Sequence, residues 1–451
     1  MRRPFVKLAL LSGAFGALVA CAATGAQDSN GEQPSVDPDD AGSTVLGDAH
    51  AAPVDATDEG FGQPQVCSPA GWCTTELPLS GLELRDVWPV GDRAFAFALD
   101  EDYATKFLEW DPIGGWKFID WKLDFSVYEQ PMSLWAPDEN ELFVASWNLS
   151  GAFGIVGGSL GGIVYHGKRP VPPETNWSWT RTRIDCDGLS LSQNGQARPF
   201  VSGTGRDEVY AALCGRVYRL NRTAPVGDAG LDGGPASLGE RWELDYSDED
   251  EMFGAFTAVT TTKTGDVWFA GVRSSYFGID SSECALLIRK SSDGYQTLID
   301  GVPSPGAACV AKPGVAVLDG HFADVHAPAK DVVVASLQHL GEPRPDELLR
   351  LRLVDGDVQV ARASASGTFD GQLISVWGAS ADDVWIVGGR PALNGSLILR
   401  ATSVWDGGAF TFSTLAINGS PNPGMLFRIR GTSNENIWAV GRYVAYIKST
   451  P

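Results

Sequence analysis

The chain contains few residues of the kinds that build familiar catalytic sites. It has five histidines and seven cysteines in 451 residues. No HExxH, GxSxG, Walker or GxGxxG motif occurs in a useful context. Basic residues are also scarce, 34 against 56 acidic ones, so the formal net charge is −22. A chain this acidic is not expected to bind nucleic acid or anionic lipid through its bulk charge.

The apolar segment near the start, residues 8–20, is too short to span a bilayer as a stable helix. It follows three basic residues and ends in the sequence LVAC, whose last residue is Cys21. LVAC resembles the lipobox of bacterial lipoproteins. The resemblance implies that residues 1–20 are a signal peptide and that Cys21 is acylated. Because Ala22 is not an aspartate, resemblance to Gram-negative sorting rules favours anchoring in the outer membrane. Residues 2–7, RRPFVK, also resemble the twin-arginine export motif, so export by the Sec or the twin-arginine route is expected. The resemblance leaves open whether the periplasmic or the surface face carries the chain. A plain signal peptide that ends in cysteine is the alternative.

Residues 21–66 are predicted to be a disordered tether. Residues 22–66 contain nine acidic residues and no lysine or arginine. A segment of this composition cannot bury enough apolar surface to order itself. As a flexible coil it spans roughly 35–40 Å. We therefore expect it to hold the remaining residues, 67–451, away from the lipid as one large repeat domain.

The end of the chain repeats itself. Residues 373–388 read LISVWGASADDVWIVG, and residues 426–441 read LFRIRGTSNENIWAVG. Each copy predicts two strands around a short turn, and recurrence at a few tens of residues is typical of a β-propeller. Seven copies align on one residue of the second strand, spaced 48 to 67 residues apart, at Phe95, Phe143, Tyr210, Trp268, Val333, Trp385 and Trp438. Six or eight copies are alternatives, because the central ones match weakly.

Each copy is followed by two more strands around a turn. Asp293-Gly294, Asp355-Gly356 and Asp406-Gly407 are predicted hairpin tips, since tight turns favour residues that tolerate positive φ. The seventh copy lacks a fourth strand, and an unassigned strand at residues 72–77 precedes the first copy. We therefore predict an all-β fold, a single β-propeller of seven four-stranded blades, closed by strand 72–77 joining the last blade.

Six cysteines remain after Cys21, an even number in an exported chain, and none has zinc-type spacing. Fifteen pairings are possible. Proximity in the sequence favours three disulfides: Cys67–Cys73, Cys186–Cys214 and Cys284–Cys309.

Binding residues are predicted at an irregularity in the second repeat. Trp147, Trp177 and Trp179 lie outside the repeated positions, near the glycine-rich insertion 151–162. Irregular loops on a rigid scaffold are where binding residues gather, and aromatic rings stack on sugars. Tryptophans at the repeat positions are instead interpreted as blade packing.

Metal and acid–base sites are weaker hypotheses. Asp248 and Asp250 lie in an acidic run that offers oxygen ligands for calcium, although a solvated loop explains the run equally simply. No other cofactor is predicted. His321, His326 and His339 are considered with Asp324 as a metal or acid–base cluster. The plainer interpretation of His326 is packing, because other repeats have tryptophan at its position.

The VWG-x-S-x-x-DVW-x-VG pattern of the last two copies resembles the repeats of bacterial β-propeller lipoproteins. The resemblance implies a β-propeller fold and identifies no catalytic residue. We expect a binding or scaffold module whose partner is an envelope protein or a glycan. The alternatives are a propeller hydrolase or lyase acting on polysaccharide, and a structural protein of the envelope. An enzyme would need convergent carboxylates or histidines with perturbed pKa values at the channel mouth.

Overall fold

The computed structural model describes most of the chain after residue 65. The described residues are 66–120, 129–148, 161–185, 198–225, 238–248, 254–262, 264–275, 282–304, 306–339, 345–365, 369, 371–390, 395–416 and 424–448. None of the helices in these ranges is long and apolar enough to cross a membrane.

The strands form seven four-stranded antiparallel sheets arranged in a ring, so the fold is a seven-bladed β-propeller. Blade 1 contains β2 (Glu83–Val90), β3 (Arg93–Leu99), β4 (Thr105–Asp111) and β5 (Gly115–Phe118). Blade 2 contains β6 (Glu129–Asp138), β7 (Glu141–Asn148), β8 (Gly161–Lys168) and β9 (Ser178–Asp185). Blade 3 contains β10 (Phe200–Gly205), β11 (Glu208–Leu213), β12 (Arg216–Pro225) and β13 (Leu238–Ser247).

The second half of the ring repeats the same order. Blade 4 contains β14 (Gly254–Thr261), β15 (Val267–Ser275), β16 (Ser282–Ser291) and β17 (Gly294–Ile299). Blade 5 contains β20 (His321–Ala329), β21 (Val332–Gln338), β22 (Glu347–Val354) and β23 (Asp357–Ser364). Blade 6 contains β24 (Gln372–Ser380), β25 (Asp383–Arg390), β26 (Gly395–Thr402) and β27 (Ala409–Ser413). Blade 7 contains β28 (Leu426–Ser433), β29 (Asn436–Gly441), β30 (Val444–Lys448) and the N-terminal β1 (Trp72–Thr74).

The predicted closure of the ring is confirmed. Strand β1 pairs antiparallel with β30, and Trp72 lies opposite Lys448. The strand is shorter than the predicted range 72–77, although the Thr75 amide still donates to the Ala445 carbonyl at 2.9 Å. The Cys67–Cys73 disulfide fixes β1 to the residues before it. Residues far apart in sequence therefore share one sheet, and the N-terminal strand closes the ring by completing the last blade.

Apolar side chains point to both faces of every blade. Within the described residues, seven hydrophobic clusters occur, each shared by two neighbouring blades. In β25, Val384 and Ile386 pack toward blade 5, whereas Trp385 and Val387 pack toward blade 7. A strand covered on both faces needs apolar residues at successive positions, which explains runs such as VWIVG.

The innermost strands are joined to one another by side-chain to main-chain hydrogen bonds. A polar side chain of one innermost strand accepts a hydrogen bond from a main-chain amide of the next blade. The five pairs, with separations of 2.9–3.2 Å, are Asp86 with Leu134, Ser133 with Val201, Thr260 with Ala327, Asp324 with Val376, and Ser375 with Ile429. These bonds satisfy buried amides and set the spacing of the blades.

The acidic residue before the aromatic of the repeat has a defined role. In blade 6, Asp383 binds Arg400 of the third strand at 2.7 and 2.8 Å. The Arg400 guanidinium lies 4.9 Å from the centre of the Trp385 ring. In blade 4, Arg289 binds Asp266 at 2.8 Å and lies 5.4 Å from the centre of the Trp268 ring. In these two blades the repeat therefore provides a carboxylate, an arginine and an aromatic that pack as a unit.

The predicted hairpin tips differ in form. Asp355 and Gly356 both have positive φ and form a two-residue turn. Near Asp406 the connection is longer, because a turn of 3-10 helix, Val404–Asp406, separates β26 from β27. A further hairpin, β18 (Gly301–Ser304) and β19 (Ala307–Ala311), is inserted between blades 4 and 5 and is joined to β16 by the Cys284–Cys309 disulfide.

Candidate functional site

A cavity of about 630 Å³ opens on the propeller axis. It is lined by residues at the C-terminal ends of all seven innermost strands, so these strands run in the same direction around the ring. The lining residues are 88–90, 135–137, 203–205, 259–262, 325–328, 377–379 and 430–434. Every blade therefore contributes to one site, which is the position where a ligand would contact the most rigid part of the fold.

Tryptophans of the innermost strands form much of the wall. The Trp135 ring packs on Gly203 of the next blade, where an added Cβ would lie 2.7 Å from the ring. Trp377 packs in the same way on Gly431, with 2.9 Å to an added Cβ. Trp135 and Trp377 are each only 3% exposed. These residues therefore hold adjacent blades together and present ring edges to the cavity, which agrees with their interpretation as blade packing.

The remaining wall contains both apolar and polar residues and carries little charge. It includes hydroxyl groups of Thr260, Thr261 and Thr262, and the amide side chain of Asn434. Asn434 is held in place, because its oxygen accepts from Trp385 at 2.9 Å and its nitrogen donates to Asp383 at 2.8 Å. None of the described residues that line the cavity is an aspartate or a glutamate.

The floor of the cavity is a buried charge cluster. Asp324 is 0% exposed and accepts hydrogen bonds from Ser375 Oγ at 2.6 Å and from Arg430 at 2.9 and 3.1 Å. Arg428 lies 3.3 Å from Asp324 and 3.3 Å from Asp86. Two arginines and two carboxylates thus neutralise one another on the axis.

The two carboxylates of this cluster respond differently to burial. Burial acts to raise the pKa of Asp324, but the charges of Arg430 and Arg428 and the hydrogen bonds outweigh it, so the pKa lies well below its usual value. Burial raises the pKa of Asp86, and the same two arginines only partly oppose that effect. Asp324 is therefore the carboxylate that balances Arg430, the charged side chain nearest the cavity.

His326 lines the cavity in the position that tryptophan occupies in blades 1, 2 and 6. Burial, together with the charge of Arg430, lowers the pKa of His326 to about 3. Its ring bonds to the main chain of Gly378, and its centre lies 5.8 Å from that of Trp377. The imidazole is thus neutral at physiological pH and far from the pKa that suits a general base.

The other two histidines of the proposed cluster lie elsewhere. His321 is at the opposite end of β20, where its Nδ1 is 2.8 Å from Glu283. His339 follows β21 and lies 3.8 Å from Glu347. Among the described residues, no group of three or more histidine, cysteine, aspartate or glutamate side chains could hold a metal ion. The structure therefore separates His326 and Asp324 from the two histidines with which they were considered.

The predicted ligand-binding tryptophans are only partly brought together. Trp177 and Trp179 stack with ring centres 6.0 Å apart and pack against the core between blades 1 and 2. Trp147 pairs with Gly162, whereas Trp179 pairs with Gly167. Five residues along β8 place the two pairing positions about 17 Å apart. That these residues bind a ligand stays a prediction, and the insertion beside them lies largely outside the described residues.

Asp248 is buried and forms an ion pair with Arg273 at 2.8 Å. Asp250 lies outside the described residues. Calcium binding by this pair stays a prediction. The carboxylate of Asp248 is already compensated by an arginine, which gives it a structural role without a metal.

Two predicted disulfides, Cys67–Cys73 and Cys284–Cys309, are present. Cys214 is also disulfide-bonded, and its predicted partner Cys186 lies outside the described residues. Arg430 and the threonines at the end of β14 are among the cavity residues that the sequence did not predict. The available signal was a departure from the repeat, because Arg430 stands where Trp377 stands in the preceding copy.

The chain is therefore a seven-bladed β-propeller protein with an axial cavity. No protein-family model matches it, and no curated protein matches it. Solved propeller structures resemble it in fold. The structure of YCF48 bound to D1 peptide has a TM-score of 0.47 and 12% identity, over 84% of this chain and 97% of that one. An ulvan lyase, a polysaccharide lyase bound to -[GlcA(1-4)Rha3S]-, has a TM-score of 0.45 and 8% identity, over 83% and 94% of the two chains. At these values the likenesses carry no argument about function.

Proposed function

We propose that this protein is a binding module, held at the outer membrane by a lipid on Cys21, and that its ligand enters the axial cavity. The observation that carries the proposal is the convergence of all seven blades on one cavity of about 630 Å³. Its walls are fixed by tryptophan–glycine contacts and by hydrogen bonds between blades. A site preorganised in this way loses little conformational entropy when a ligand binds.

The chemistry of the wall favours binding over catalysis. A hydrolase or lyase acting on polysaccharide would use carboxylates or histidines with pKa values suited to proton transfer. The described lining contains no carboxylate, and the pKa of His326 is lowered to about 3. Threonine hydroxyls, main-chain groups and tryptophan edges instead suit an uncharged ligand with hydrogen-bonding groups, such as a sugar or a peptide segment.

The cavity can be blocked with one substitution. A Cβ added at Gly205 meets no atom within 4 Å, and this glycine lies at the cavity wall. Gly205→Trp should therefore fill the cavity without disturbing the fold, and Gly205→Ala is the matched control. We expect wild type and Gly205→Ala to capture the same glycan on an array, or the same envelope protein in a pull-down, and Gly205→Trp to capture neither.

The outcome separates the three functions considered. Equal capture by Gly205→Trp would show that the ligand does not bind in the axial cavity. Glycan chain shortening by the wild-type protein would support the polysaccharide enzyme, and blanks in both assays would support a structural protein of the envelope. Membrane attachment is tested separately: Cys21→Ala should abolish incorporation of labelled palmitate and release the protein from the membrane fraction.

A further inference from the structure

The opposite end of the propeller axis, here called the second mouth, lies at the N-terminal ends of the innermost strands. Six of these strands contain a β-bulge at the same level, and one residue of each bulge is skipped in the pairing register. The six skipped residues are Arg85, Met132, Thr257, Ala323, Ile374 and Phe427. Each is at least partly exposed, although the residue before it is buried.

Each bulge adds one residue to an innermost strand, and not all of these residues face the axis, since Ile374 packs against the cluster between blades 6 and 7. Leu84, Phe256, Phe322 and Leu373 precede four of them and pack into the clusters between blades. A bulge changes the direction of the side chain that it adds, and Arg85 of blade 1 and Phe427 of blade 7 are two such residues that contact each other. About three residues, roughly 10 Å along a strand, separate this level from the tryptophans of the cavity.

Positive charge is concentrated at the second mouth. The Arg85 guanidinium lies over the Phe427 ring, 4.8 Å from its centre. Arg198 lies two residues before β10, the inner strand of blade 3, and both Arg428 and Arg85 are close enough for their charges to act on it. Arg198 is solvent-accessible. It makes no ion pair or hydrogen bond in the part of the chain that the structure describes.

Carboxylates at this mouth are already engaged. Arg85 pairs with Glu83, and Glu83 is shared with Arg442 at 3.1 Å. Arg428 is directed to Asp86 and Asp324 in the channel. Partial desolvation lowers the pKa of Arg198, although the residue is solvent-accessible, and the charges of Arg428 and Arg85 lower it further. Neighbouring guanidinium groups repel one another, and the chain that brings them together has a net charge of −22.

We propose that this second mouth binds an oxyanion, with Arg198 and Arg85 as its direct ligands and Arg428 supplying charge from below. Guanidinium groups bind carboxylate, sulfate and phosphate through paired, charge-assisted hydrogen bonds. The site is separate from the axial cavity, because the cluster of Asp86, Asp324 and the two arginines lies between them. A ligand that reaches it carries an acidic group.

Titration of the purified full chain with inorganic sulfate, phosphate and acetate, at constant ionic strength, tests the proposal. We expect one site in wild type, with the relative affinities showing which oxyanion fits best. Loss of a charged hydrogen bond should weaken binding about tenfold or more in Arg198→Gln and Arg85→Gln. Arg352→Gln, whose arginine side chain is 42% exposed on β22, is the matched control and should bind as wild type does.

Stability distinguishes a binding role from a structural one. Among the described residues Arg198 has no acidic partner and lies near two cations, so Arg198→Gln should melt in chloride at the wild-type temperature or slightly above it. Absence of binding by wild type, equal binding by Arg198→Gln, or a melting temperature several degrees lower in that variant would overturn the proposal. Gly205→Trp should retain sulfate binding, and its loss would show that the anion occupies the axial cavity instead.

Discussion

The buried charge cluster on the axis gives a prediction whose magnitude follows from the structure. Asp324 is fully buried and holds Arg430 at 2.9 and 3.1 Å and Arg428 at 3.3 Å. Replacing Asp324 by asparagine keeps the side-chain shape but leaves two guanidinium groups with Asp86 as their remaining carboxylate. Removing one partner of a buried ion pair costs about 3–5 kcal/mol.

That free energy converts to a measurable shift. With an unfolding entropy of about 2.1 cal/mol/K per residue, the span 66–448 unfolds with roughly 0.8 kcal/mol/K, so Asp324→Asn should lower Tm by about 4–6 °C. Circular dichroism melting measures the shift. Asp382→Asn is the matched control, because its carboxylate is 46% exposed and pairs with Arg350, and an exposed pair contributes at most about 1 kcal/mol.

A double substitution tests the physical reason. If the loss comes from unbalanced positive charge, Arg430→Met should recover part of it in the Asp324→Asn background, with a coupling of about 2 kcal/mol. The pKa of Asp324 in the fold lies below its ordinary value of 3.8. Its contribution is therefore present above pH 3.8 and lost as the pH falls through the folded pKa. A Tm within 1 °C of the Asp382→Asn control, or strictly additive substitutions, would refute the reasoning.

Two further predictions concern closure of the ring and the cavity wall. Trp72→Ala removes a fully buried side chain that donates to Ser413 at 2.9 Å, so it should cost about 3–5 kcal/mol in melting experiments, whereas Phe412→Ala, at a side chain 56% exposed, should cost little. Equal losses would show that β1 does not hold the last blade. The folded pKa of His326, about 3, lies below its ordinary 6.5, so stability should fall by up to about 1.4 kcal/mol per pH unit as the pH drops from 6.5 toward 3. His326→Gln should lack that component, and parallel pH profiles of the two proteins would contradict the pKa shift.

The fold could be predicted from the sequence because a propeller repeats one local pattern. Trp385 and Trp438 each follow a turn at the same spacing, and each is buried between blades. The seventh copy lacked a fourth strand, and the strand near Trp72 belonged to no copy. The sequence therefore predicted that this strand completes blade 7. Strand-level packing depends on residues close in sequence, so periodicity reveals it.

Most of the candidate site could not be predicted, because its contacts join different blades; of the residues named from the sequence, His326 lines the cavity and Asp324 lies at its floor. Trp147 and Trp177 were selected as departures from the repeat, yet Trp177 packs on the core of blades 1 and 2. Two departures from the repeat, His326 and Arg430, reach the cavity, and the role of Arg430 depends on a carboxylate 106 residues earlier in the chain.

The sequence by itself therefore determined the class of fold, the closing strand and the two disulfides that the structure describes, since each rests on repetition or proximity along the chain. Only the tertiary structure decided which side chains meet on the axis. Ring closure brings Arg85, Arg198 and Arg428 of three blades near one another. The spacing of these residues along the sequence does not predict that proximity. The physical reason is that the axis is the one place where every blade contributes and none determines the environment alone.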